Sequence, residues 1–131
     1  GKVYYDLLQA RREAGVDDVA IVRVEQLYPW PREDVAKQLE RYANGEVVWC
    51  QEEPANMGAW SYVFPKLINI QEQLGRSQVL PAYVGRKEAA SPATGLFKTH
   101  QKEQTELVGK ALSPGALAPG GKAKSVRSKK V

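Results

Sequence analysis

The sequence predicts an α/β domain: a mainly parallel sheet with helices on both faces, its first strand missing. Three observations carry this. Amphipathic stretches with helical spacing alternate with short β-branched runs along residues 1–112. Alternation of this kind joins parallel strands through right-handed helical crossovers. The chain also opens on a helix and holds three strand patterns. A parallel sheet is covered on both faces, so a further strand is expected ahead of Gly1, which reads as an N-terminal truncation.

Each element has its own justification. Val3, Tyr4, Leu7, Leu8 and Ala14 recur at spacings of three and four, a helix closed by Gly15. The run Val19–Val24, bounded by Asp17-Asp18, is short and β-branched, hence a buried strand. Pro31 sits where a helix begins, with Glu33 and Asp34 in its first turn favoured by the helix dipole. Val35, Leu39 and Tyr42 mark one face of that helix, and Asn44-Gly45 ends it. Val47–Cys50 is the next strand.

Beyond Gly58, Trp60, Phe64, Leu67, Ile68 and Leu74 follow a third helical pattern. Pro65 lies inside it, so this helix either starts late or kinks. Val79–Val84 is a weaker strand, because Pro81 lacks the donor a central ladder needs. A last helix is expected from about Thr99 to Leu112, with Gln104, Leu107, Val108 and Ala111 facing the body. Residues 113–131 lack aromatics and periodicity and are expected to be a disordered basic tail. The domain is therefore 1–112.

Composition narrows the function classes. The 131 residues are 43% apolar and 26% charged, the balance of an ordinary globular domain. No apolar run approaches the roughly 20 residues that span a bilayer, and Gly1 to Asp6 carries no secretory leader pattern. No membrane partner is expected. One cysteine (Cys50) and one histidine (His100) exclude an internal disulfide and a structural zinc site. A reducing compartment follows, the cytosol or an organelle matrix. The net charge of +4 comes from the tail, where Lys122, Lys124, Arg127, Lys129 and Lys130 meet no acid. Residues 1–112 hold one more acid than bases, so no nucleic-acid partner is expected.

Gly115 to Lys122 fails as a phosphate loop: the spacing is off by one, Ala123 replaces Ser or Thr, and no strand precedes it. Glu52-Glu53 ends a strand where ligand sites collect in parallel sheets. Adjacent side chains on a strand point opposite ways, however, so the pair suits capping or pairing with Arg86 or Lys87 better than acid/base work. His100 and Glu103 share a helical face, as a base and its orienting carboxylate would. No nucleophile or metal ligand groups with them. Cys50, mid-strand beside Trp49, reads as a buried structural thiol. Composition and spacing thus yield no catalytic constellation.

Several strings are more specific. Gly1-Lys2-Val3-Tyr4-Tyr5-Asp6-Leu7, Glu25-Gln26-Leu27-Tyr28-Pro29, Trp49-Cys50-Gln51-Glu52-Glu53-Pro54, Asn56-Met57-Gly58-Ala59-Trp60 and Tyr83-Val84-Gly85-Arg86 occur in order. Ala90-Ser91-Pro92-Ala93-Thr94-Gly95, His100 and Glu103-Gln104 complete the set. Residues 1–112 thereby resemble the C-terminal domain of the decarboxylating first component of 2-oxoglutarate dehydrogenase, in the transketolase-like superfamily. The resemblance implies an oxidoreductase of the tricarboxylic acid cycle that decarboxylates 2-oxoglutarate on thiamine diphosphate with Mg²⁺ and passes the succinyl group to lipoamide. It implies a homodimer, a dihydrolipoyl succinyltransferase partner, and cofactor sites in other domains of the same enzyme.

No catalytic, cofactor-binding or metal residue is carried onto this chain, which is expected to support assembly and to be inert alone. Glu52, Glu53, Asn56, Arg86 and His100 are named as loop and interface supports. Two other classes stay open: a free-standing nucleotide- or acyl-CoA-binding module, and a structural interaction domain with a basic tail.

Overall fold

The computed structural model describes residues 2–90, 97–112 and 127–128. Its elements are α1 (Lys2–Ala14), β1 (Val19–Ala20), α2 (Arg32–Arg41), β2 (Val48–Pro54), α3 (Trp60–Gln73), β3 (Ala82–Arg86), α4 (Phe97–Leu112) and β4 (Arg127–Ser128). β2 and β3 are parallel neighbours, and β1 pairs in parallel with β4. The two pairs form separate two-stranded sheets.

Strand alternation sorts the layers. Val48, Cys50 and Val84 turn to one side, against a core of Leu7 from α1 with Leu107, Val108, Ala111 and Leu112 from α4. Trp49, Gln51 and Tyr83 turn to the other, where the Trp60 ring of α3 lies 5.2 Å from that of Tyr83. Helices therefore cover both faces, as the alternation predicts. Val63, Leu67 and Ile70 of α3 are buried, each contributing roughly 1.5–3 kcal/mol relative to exposure.

Helix ends follow local chemistry. Gly15 and Gly75, with φ of 65° and 69°, close α1 and α3 in the left-handed region that glycine tolerates. After α3, the Arg76 N–H donates to the Gln71 carbonyl at 3.1 Å and the Gly75 N–H to that of Glu72 at 3.0 Å. The Arg76 guanidinium then reaches back to the Leu39, Tyr42 and Gly45 carbonyls, so the end of α2 is tied to the end of α3. Gln104 donates to Asp6 at 2.9 Å and locks α4 to α1.

Three expectations change. Among the described residues, the strand expected over Val19–Val24 has ladder partners only at Val19 and Ala20, because no described strand lies beside the rest. α3 begins ahead of Pro65 and runs through it, so it does not start late; the proline is its sixth residue, past the amides that lack helical partners, and forgoes one main-chain bond. β3 starts at Ala82, just past Pro81, which removes the conflict between that proline and a ladder. The tail expected from residue 113 onward lies outside the described residues except for Arg127 and Ser128, which form β4.

Candidate functional site

The carboxyl ends of β2 and β3 sit side by side, and the loops leaving them form one cluster. Gln51, 5% exposed, is its centre. Its side-chain NH₂ donates to the carbonyls of Glu53, Pro54 and Met57 at 3.2, 3.0 and 2.8 Å. Its side-chain oxygen accepts from the Trp49 indole at 2.9 Å and from the Trp60 main-chain N–H at 3.1 Å. Ala59, the N-cap residue, offers no side-chain cap to α3, so a strand residue satisfies that orphan amide. Gly58 makes this approach possible. Its φ is +67°, and an added Cβ would stand 3.1 Å from both the Gln51 oxygen and Glu53 Cβ.

The residues named from sequence fall around this centre. Glu52 is half-buried, with its Oε1 shielded and without a hydrogen-bond partner, whereas Glu53 is exposed. They diverge as strand geometry requires and do not converge on one substrate atom. The Arg86 Nε donates to the Glu52 main-chain carbonyl at 3.3 Å, and helix capping falls to Gln51 rather than to either glutamate. Asn56 bridges two loops: its amide donates to the Ala89 carbonyl at 2.9 Å and accepts the Ala89 N–H at 3.1 Å. The Tyr83 hydroxyl lies 3.1 Å from the Glu53 carbonyl and 2.9 Å from that of Arg86. His100 lies in α4, but its side chain and residues 91–96 lie outside the described residues, as does the Gly115 to Lys122 stretch.

Sequence reasoning missed Gln51 and Tyr83. The available signal was alternation: Trp49, Gln51 and Glu53 share one strand face, and a polar residue between them facing a helix needs internal partners. Among the described residues Cys50 carries the most perturbed titration. Burial, and then the Glu52 carboxylate, pushes its thiol up to about 12, the opposite of a nucleophile's requirement. Among the described residues no group of three or more His, Cys, Asp or Glu could hold a metal ion, and no helix is long and apolar enough to cross a membrane.

These features define a helix-flanked parallel α/β domain whose strand-end loops are braced mainly through main-chain contacts. The chain belongs to the 2-oxoglutarate dehydrogenase C-terminal family, whose model matches residues 1–112. It is 46% identical over 112 residues to the 2-oxoglutarate dehydrogenase E1 component of Brucella anthropi, and equally to those of Brucella ovis and Brucella melitensis. Each match covers 86% of this chain and 11% of the relative, so the chain spans about a ninth of the length of these curated relatives.

Proposed function

We propose that the chain is the C-terminal domain of a 2-oxoglutarate dehydrogenase E1 component, whose complete polypeptide decarboxylates 2-oxoglutarate and transfers the succinyl group to lipoamide in the tricarboxylic acid cycle. The observation that carries this is the family match across residues 1–112 together with 46% identity over the same length. Neither a free-standing nucleotide module nor an unrelated interaction domain accounts for that match. In this reading the partners are the enzyme's other domains, a second E1 subunit and the dihydrolipoyl succinyltransferase, in a bacterial cytoplasm or a mitochondrial matrix.

Thiamine diphosphate with Mg²⁺ supplies the carbanion chemistry in such an enzyme. The described residues do not fit that group. Glu52 and Glu53 point apart, and the Trp60 amide, the first of α3, is taken by Gln51 rather than open to a diphosphate. No step of the reaction is routed through this chain. Its proposed contribution is support: Glu52, Glu53, Asn56, Arg86 and His100 shape loops and a surface on which the other domains rest.

Release of CO₂ from 2-oxoglutarate tests the reading. The longer polypeptide, supplied with thiamine diphosphate and Mg²⁺, should turn over 2-oxoglutarate in preference to pyruvate. The isolated 131 residues should neither react nor bind the cofactor by titration calorimetry. Turnover by the isolated chain, or a preference for another 2-oxo acid, would overturn it.

A further inference from the structure

We draw no further inference here: the strongest candidate, the exposed apolar patch that Leu27 and Tyr28, past β1, share with Tyr62 of α3, whose hydroxyl donates to the Leu27 carbonyl at 3.0 Å, carries nothing because nothing in the structure shows what covers it.

Discussion

The side-chain oxygen of Gln51, in β2, accepts the main-chain N–H of Trp60, the first residue of α3, at 3.1 Å. One strand residue thus caps the following helix while its NH₂ holds three carbonyls of the loop between them. Gln51→Leu keeps most of the volume and removes every one of these bonds. Buried groups left unpaired cost about 1–3 kcal/mol each, and partial relaxation sets the expected loss near 2–4 kcal/mol. Gln51→Glu should lose more at neutral pH, because a carboxylate would face three carbonyls. Protonation would restore a donor, so its deficit should shrink as pH falls. Thermal denaturation of the full-length protein reads both; a Gln51→Leu shift under one degree contradicts the capping role.

Gly85 is held by a neighbour's bulk rather than by its own dihedral angles. A Cβ added there would fall on the Tyr83 phenol and lie 3.0 Å from the Gln51 carbonyl. Gly85→Ala should therefore cost about 1–3 kcal/mol through overpacking. In combination with Tyr83→Ala much of that cost should disappear, giving a coupling of about 1 kcal/mol or more in a double-mutant cycle. Strict additivity would mean that Tyr83 is not the obstacle.

Deleting residues 113–131 removes the β1·β4 pairing, which spans Val19–Ala20 and Arg127–Ser128. A pairing this short is expected to contribute well under 1 kcal/mol, so the midpoint should fall by less than about 2 °C. A drop of several degrees would show that the tail docks on β1 as a structural strand.

His100→Ala in the full-length enzyme should lower turnover less than tenfold, in keeping with a supporting residue. A positioned general acid or base contributes roughly a hundredfold or more. A larger loss with cofactor binding and dimerisation intact would make His100 part of the chemistry.

The helices were legible because each carries its own signals. Leu7, Leu39 and Leu107 sit on apolar faces, and Gly15 closes α1 where the pattern stops. The divergence of Glu52 and Glu53 was legible too, since a period of two needs no tertiary knowledge. Strand extent was not. Val22 and Val24 look like Val19 in sequence, yet a strand exists only where a neighbour pairs with it, and that neighbour is not written in the residues themselves. Gln51 escaped for a related reason. A lone amide reads as a surface group until the loop carbonyls of Glu53, Pro54 and Met57 are known to surround it.

Cys50 gives the pH prediction. Its thiol is pushed up to about 12, first by burial and then by the Glu52 carboxylate. A thiol in the unfolded chain ionises near 8.5. Between those values the unfolded state releases a proton that the native state keeps. Stability should therefore be fully present below about pH 8.5 and decline as pH rises towards 12, the sign that linkage requires when the unfolded state binds fewer protons. Alkylation should follow the same titration. At pH 8 iodoacetamide should label native Cys50 far more slowly than an unfolded control, with the rate still climbing about tenfold per unit above pH 9, because the thiolate is the reactive form. Glu52→Gln should bring the curve to lower pH by removing the second cause. A native labelling profile that levels off near pH 9 would refute the assignment of the half-buried Cys50 as a protonated thiol.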